Sequence, residues 1–257
     1  MNASEQYIAF VTILVKEIRR YTRIWTQTLL PSAITMSLYF VIFGTLIGSR
    51  IGQMGGFTYM EFVVPGLIMM AIVTNSYSNV VSSFYGSKFS HAVEELLVSP
   101  TPNYVILMGY VLGGVSRGIL VAVVVTLVSL FFTDLHIHSY FVVVASVLLT
   151  STLFALAGFI NAVYANSFDD ISIVPTFVLT PLIYLGGVFY SMDLLPEFWA
   201  NVSKLNPLVY VVNTFRYGVL GVSDINLTFA FGMIFLFTIV AFAFSMHLLN
   251  SGKRLRQ

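Results

Sequence analysis

Few side chains in this sequence are equipped for chemistry. Only 9% of its 257 residues are charged and none is cysteine, which removes thiolate ligands, thiol nucleophiles and disulfides together. No G-x-x-x-x-G-K-[ST] is present to cradle a nucleotide's phosphates, and neither H-E-x-x-H nor G-x-S-x-G marks a hydrolase centre. His136 and His138, close to Asp134, form the one histidine-rich patch. Two imidazoles at i, i+2 in a short turn fit a solvated loop better than a metal, so no metal site is expected.

What remains is polar groups in apolar surroundings. Arg117 is the one charge between Leu96 and Thr133, where insertion into lipid costs an arginine at least about 2.5 kcal/mol. It either snorkels to a water-filled vestibule, lines a route through the membrane, or holds two helices in register. Asn75, Asn79 and Ser82 share a face at i, i+4, i+7 in another uncharged stretch. The Asn75 carboxamide oxygen is expected to accept a hydrogen bond from Arg117, which makes Asn75, Asn79 and Arg117 candidates for a translocation pathway. A proton relay would need Asp, Glu or His within the spans, and apart from His247 there is none. Passive facilitation, sodium coupling through neutral oxygens, or energy from another subunit are left.

These groups need a scaffold, and the composition defines it. Hydrophobic residues make up 58% of the chain and aromatics 15%, whereas a soluble domain carries about 25% charged residues. An integral membrane protein follows. The net charge of +1 gives no field for nucleic acid, and none is expected as a partner. Six long intervals lack charge or nearly so: 24 to 49, 62 to 87, 96 to 133, 135 to 168, 171 to 192 and 225 to 252. Each can cover the roughly 20 residues that a bilayer requires. The expected class is an all-α polytopic membrane protein, one domain over 1–257, with spans at about 25–48, 62–86, 103–132, 140–165, 171–191 and 227–250. Alternation of period two is absent, which argues against a barrel.

Six spans put both termini on one side. Lys16, Arg19, Arg20, Arg23, Lys88, Lys253, Arg254 and Arg256 then gather there, against Arg50, Lys204 and Arg216 opposite. The cation bias predicts cytoplasmic termini. The N-terminus does not read as a cleavable signal peptide, because its apolar residues precede the charged cluster. Between residues 5 and 24, Lys16, Arg19, Arg20 and Arg23 fall within an arc of roughly 100° at 100° per residue. Tyr7, Val11, Leu14, Ile18, Tyr21 and Trp25 lie opposite. This predicts an amphipathic interfacial helix, either a lipid anchor or a docking arm.

A second piece, 87 to 98, carries Phe89, Val93, Glu94, Glu95, Leu96 and Leu97 ahead of Pro100 and Pro102. It reads as a short helix that either connects two spans in water or seats in a groove of another protein. On the other side, Leu195, Phe198, Val202 and Leu205 follow helical steps until Asn206-Pro207 breaks them. A second run, Leu208 to Leu220, carries Arg216. A broken or re-entrant helix pair is predicted, serving as a lid or as plain packing. In the third span, Gly109-x-x-x-Gly113 and Gly114-x-x-x-Gly118 let helices approach closely, for core packing rather than a dimer seam. Pro175 and Pro181 are expected to bend the fifth span.

The pattern Leu179-x-x-Leu182-x-x-Leu185-Gly186-x-Val188-x6-Leu195-Pro196-x10-Pro207-Leu208-x-Tyr210-x5-Arg216 closely resembles that of ABC-2 type transporter permeases. Element order along the whole chain agrees, including Glu-Glu-Leu-Leu-Val-Ser-Pro after the second span and Asn166-Ser167-Phe168-Asp169-Asp170 before the fifth. The resemblance implies a permease rather than an enzyme, in a bacterial inner membrane. It also implies a homodimer served by two copies of a separate ATP-binding subunit, which carries the ATP and magnesium; no cofactor is expected in this chain. By the same resemblance, the 87–98 helix is the coupling helix. Phe89, Glu94, Glu95, Leu96 and Leu97 then seat in the ATPase, helped by Asp169 and Asp170. Gly186, Pro196, Pro207, Tyr210 and Arg216 form the outer gate, and the cargo is an exported hydrophobic, amphipathic or cell-envelope compound. The competing readings are a stand-alone or ion-coupled carrier and a membrane assembly factor that transports nothing.

Overall fold

A computed structural model describes residues 1–252. Lys253, Arg254 and Arg256, which enter the cation count above, lie outside the described residues. Helix α1 runs Ala3–Arg23. Helix α2, Trp25–Ile51, follows with a π-helical stretch at Phe40–Ile47. A small hairpin pairs β1 (Gln53–Met54) with β2 (Phe57–Thr58). Then come α3 (Tyr59–Phe89), α4 (Ala92–Val98), α5 (Asn103–Ser129) and α6 (Tyr140–Tyr164). Helix α7 spans Asp170–Tyr184, α8 Glu197–Ser203, α9 Pro207–Leu220 and α10 Leu227–Ser251.

Five of these helices, α2, α3, α5, α6 and α10, are long and apolar enough to cross a membrane. The expected fifth span, 171–191, is shorter than predicted. Its helix stops at Tyr184, because Gly186-Gly187 follows and Gly187 turns with φ at +73°. That leaves a helix in the 10–17 residue class, at most about 25 Å long against a core of about 30 Å. Pro175 and Pro181 both lie within this helix. A π-helical turn at Pro175–Leu179 absorbs the first, and the Thr180 hydroxyl donates to the Pro175 carbonyl at 2.9 Å. The hairpin was not foreseen, although Gly55-Gly56, both with positive φ, is the two-residue turn such a ribbon prefers.

Helix α3 is the centre of the fold, packed by α5, α6 and α9, while α1 packs on α5 and reaches α3 through side-chain hydrogen bonds. It is the least apolar of the five long helices and the most buried, whereas α10 is the most apolar and least covered. Lipid tolerates no unpaired polar group, so the span carrying Ser76, Asn79 and Ser83 is the one sheathed in protein. Small residues on α5 make the close packing possible. A methyl group at Gly109 would meet Ile13 of α1, and one at Gly113 would meet Glu17, each within 3 Å; Gly114 and Gly118 sit as tightly on Val80 and Ser76 of α3. The two small-residue pairs therefore serve two different neighbours, α1 and α3, inside one chain.

This corrects the expected orientation of the N-terminal helix. The face that docks is a strip along one border of the apolar face, where Ile13, Glu17 and Tyr21 are buried, with Arg20 from the edge of the cationic arc turned in beside it. Replacing Gly113 with Leu is expected to lift α1 off α5 at a cost of about 1–3 kcal/mol. Thermal unfolding in detergent and faster tryptic cleavage at Arg19 or Arg23 would report it. Gly86→Ala, where nothing lies within 4 Å, should leave both unchanged.

Candidate translocation, coupling and gate surfaces

The end of the bundle that carries α4 is built from two loops. Helix α3 ends at Phe89, and His91 adopts the left-handed conformation, φ +60°, so the expected 87–98 helix is in fact broken before α4 begins. Val93 is buried; Glu94, Leu96 and Leu97 are half-buried, while Glu95 and Val98 are exposed. His91 Nδ1 lies 3.2 Å from Glu94 Oε1. Lys88 is buried, and its Nζ donates to the Val163 and Ala165 carbonyls at 2.9 and 2.8 Å, capping the C-terminal end of α6. Phe168 stacks edge-on to Tyr85 and Phe89, with centroids 4.9 and 5.1 Å apart. These contacts join the end of α3, just ahead of α4, to the 165–170 loop, so that both loops share one surface.

On that surface the two aspartates differ. Asp169 points out, whereas Asp170 folds back on its own loop. Its Oδ2 accepts from the backbone N–H of Asn166 at 2.8 Å and of Ser167 at 3.2 Å. The Asn166 amide first, then the Ser167 side chain, hold the Asp170 carboxyl below the usual carboxylate range. Phe89, Glu95, Val98 and Asp169 are the groups this surface offers outward.

Above it, a polar seam runs between α1 and α3. Arg20 Nη2 donates to the Asn79 carbonyl and Oδ1 at 2.7 and 2.8 Å, Nη1 to Ser82 Oγ at 3.3 Å, and Nε lies 3.5 Å from Glu17 Oε2. Glu17 is fully buried, and its Oε1 accepts from Ser83 Oγ at 2.6 Å. Lys16 reaches Ser87 Oγ at 3.5 Å and lies over the Tyr110 ring. Of the predicted cationic set, Lys16, Arg19 and Arg23 stay exposed, Lys16 with its amine directed to Ser87, and Arg20 alone is half-buried. One turn farther along, Arg117 Nη2 donates to Asn75 Oδ1 at 2.9 Å, the bond that the residue spacing indicated, and to the Thr28 carbonyl at 3.4 Å. Asn75 Nδ2 in turn donates to Ser32 Oγ of α2 at 3.0 Å.

The seam borders the one open strip on α3. Between residues 62 and 88, the only positions not buried are Met70, Thr74, Ser78, Ser82 and Gly86, at steps of four. A hydroxyl-rich strip on an otherwise enclosed helix is a wettable path through apolar surroundings. By contrast, the apolar cleft of about 380 Å³ between α6, α7 and α10, lined by Leu153, Val178, Leu182 and Phe237 among others, presents almost no polar atom. It offers volume without a directing group.

At the hairpin end, the predicted broken pair is present. Helix α8 leaves its large apolar residues exposed, Phe198 at 69%. Asn206 caps α9 through Leu208 N at 3.0 Å and ties it to the Leu182 carbonyl of α7 at 2.7 Å. Pro196 and Pro207 stand at the two helix starts, where a proline's missing N–H costs nothing. Gly186 packs against Leu208, and the Tyr210 hydroxyl donates to the Lys204 carbonyl at 2.6 Å.

Arg216 is fully buried. Its Nη2 donates to the Gly187 carbonyl at 2.6 Å, its guanidinium lies 3.9 Å from the Phe62 ring centroid, and Nη1 is 3.9 Å from Asp224 Oδ2. Asp224 accepts from Ser191 Oγ and Met192 N at 2.9 and 2.8 Å, and its own N–H donates to Asn213 Oδ1 at 2.9 Å. Tyr39, Phe43, Tyr184 and Phe189 form an aromatic cluster beside it, bridging α2 and the segment after α7. Sequence reasoning missed Glu17, Asp224 and this cluster. Glu17 carried a signal, being the lone carboxylate within the cationic run and three residues before Arg20; Asp224 carried none.

An all-α polytopic membrane protein with a central polar helix, a two-loop surface at one end and a broken helix pair at the other is thus defined. The chain belongs to the ABC-2 type transporter family, which matches residues 8–220. It is 55% identical over 250 residues to the inner membrane transport permease YadH of Escherichia coli strain K12, covering 97% of this chain and 98% of that one. It is 22% identical over 214 residues to nodulation protein J of Rhizobium leguminosarum bv. viciae, 83% of each chain. With nodulation protein J of Neorhizobium galegae it shares 21% over 249 residues, 96% and 94% of the two chains.

Removing the Asp224 carboxylate leaves Arg216 buried without its counter-charge. Asp224→Ala is expected to lower stability by about 3 kcal/mol, read as loss of the folded form in chemical denaturation of the purified chain. Lys204→Ala, at an exposed position, should cost less than about 0.5 kcal/mol.

Proposed function

We propose that this chain is the membrane-spanning permease of an ATP-binding cassette transporter, a single transmembrane domain over 1–257. Family membership supports a permease paired with an ABC ATPase subunit, and the name of the 55% identical relative supports a place in a bacterial inner membrane. Helix α7 together with residues 185–191 would complete a sixth crossing and return the chain to its starting side. The cation bias then puts that side in the cytoplasm. Two copies of the chain would work with two copies of the ATPase. ATP and magnesium would bind that partner, and this chain would only sense their turnover.

The observation that carries this reading is the joining of the end of α3, which leads into α4, to the 165–170 loop through Lys88 and the Tyr85–Phe168–Phe89 stack. A push on Phe89, Glu94, Glu95, Leu96 or Leu97, or on Asp169 and Asp170, reaches the ends of α3 and α6 at once. Such a device converts ATPase closure into a tilt of the spans. Arg19 and Arg23 on the free flank of α1 suit anionic membrane lipids. The open strip on α3, edged by Asn75, Asn79 and Arg117, is the route. The outer gate is formed by Gly186, Pro196, Pro207, Tyr210 and Arg216. The cargo would be an exported hydrophobic, amphipathic or cell-envelope compound.

The test is to purify the tagged chain from its native membrane and identify what accompanies it, then to repeat with Glu94→Lys and Glu95→Lys together. An ATP-binding-cassette protein at matching stoichiometry is expected with the unaltered chain. The double variant should insert normally yet lose about tenfold or more of the ATPase stimulation, since reversing charge at an interface costs several kcal/mol. Transport by the lone chain in liposomes, with no ATPase recovered, would instead mean a stand-alone carrier.

A further inference from the structure

The seam between α1, α3 and α5 carries more positive charge than it needs to hold itself together. Lys16, Arg20 and Arg117 face one carboxylate, Glu17, and otherwise bond only to neutral hydroxyls, carboxamides and carbonyls. With Lys16 exposed, Arg20 and Arg117 have Glu17 alone between them, which leaves one positive charge uncompensated in a region of low dielectric. Structural anchoring of α1 would need Arg20 with Glu17 and no second arginine. Buried donors are also left over. Arg117 Nε and the carboxamide nitrogen of Asn79, a residue with no exposed surface, have no hydrogen-bond partner among the described residues.

These donors are not sealed off. Arg20 keeps 30% of its side-chain surface exposed, and the seam opens on the strip of Thr74, Ser78 and Ser82. Two guanidinium forks about one helical turn apart, with surplus positive charge and hydroxyls alongside, match the acceptor oxygens and the negative charge of a phosphate monoester. Spherical cations and uncharged cargo have nothing to gain there. Beyond Ser78 the strip turns apolar at Met70, and the aromatic cluster of Tyr39, Phe43 and Phe189 stands at the hairpin end of α2. A headgroup held at the arginines would thus direct an apolar tail along the route.

We propose that Arg20 and Arg117, with Ser78 and Ser82, bind the phosphate headgroup of an amphiphilic cargo at the entrance of the route along α3. This narrows the cargo class of the permease reading above and rests on it. Entry of the phosphate would supply the counter-charge that Glu17 alone does not, and would let Arg117 share its hydrogen bonds between Asn75 and the ligand.

The test uses the purified full chain in nanodiscs of zwitterionic lipid, without any ATPase, titrated calorimetrically with hexyl phosphate, inorganic phosphate and hexanol. Hexyl phosphate should bind tightest. Arg20→Gln and Arg117→Gln should each weaken it by about tenfold or more, the worth of one charge-assisted hydrogen bond. Ser78→Leu, which blocks the strip and touches no ion pair, should weaken it comparably. Thermal unfolding checks each variant, and should an arginine variant not fold, Ser78→Leu decides alone.

Hexyl phosphate binding that ignores these substitutions overturns the site. Equal binding of inorganic phosphate overturns the amphiphile, and equal binding of hexanol overturns the headgroup. The two readings fail separately. An ATPase that copurifies with and responds to a chain blind to hexyl phosphate leaves the permease standing without this site. A chain that binds hexyl phosphate but recruits no ATPase keeps the site and loses the permease.

Discussion

The constraint on which this structure depends is that a polar group in lipid must be covered by protein. Helix α3 carries the asparagines and serines that a lipid-facing span could not, and the rest of the chain is arranged to sheath it. Helices α5 and α6 approach it through glycines and serines, α9 fills the hairpin end, and α1 closes the flank near α4. The outermost helices, α2, α7 and α10, carry the broad apolar faces, Phe177 on α7 and Phe235 on α10 among them. At the two extremes burial therefore runs against hydropathy, the least apolar span, α3, being the most covered and the most apolar, α10, the least, as expected of a bundle whose solvent is hydrocarbon.

The two arginines at membrane depth meet this constraint in different ways. Arg216 is enclosed, with a carbonyl, an aromatic face and a carboxylate around it, and its ligands come from three separate stretches of the hairpin end. It fastens those stretches together. Arg117 has only a carboxamide and a long contact to a carbonyl, and lies beside an open hydroxyl strip. An enclosed, neutralised guanidinium builds structure, whereas a partly open one without a counter-charge keeps capacity for a ligand. The same contrast holds at the N-terminal helix, where Glu17 and Arg20 pair in the seam while Arg19 and Arg23 remain free.

Several elements were legible in the residue order because their causes are local. Asn206-Pro207 both ended α8 and started α9. Charge-free intervals gave α2, α3, α5, α6 and α10 to within a few residues, since a span is set by its own length and composition. The Arg117–Asn75 bond was also readable, because a buried arginine leaves few alternatives and Asn75 falls at similar depth. Other features were not. The break at His91 depends on a left-handed residue that no glycine announced, and the docking face of α1 follows from where α5 carries its glycines. The Arg216–Asp224 contact joins groups across a loop whose path the local sequence does not fix.

By itself, then, the sequence determined that the chain is helical, that it crosses the membrane several times, where most of those helices begin and end, and that it belongs with the ABC-2 transporters. Composition, periodicity and short motifs act within one element, and such properties need no neighbour. Only the tertiary structure decided which helix is central, that Glu17 is buried, that Lys88 caps α6, and that α4 and the 165–170 loop form one surface. Those outcomes depend on which side chains meet across elements far apart in the chain. In hydrocarbon that pairing is chosen by close backbone approach and by the need to satisfy every buried polar atom, neither of which belongs to any one segment.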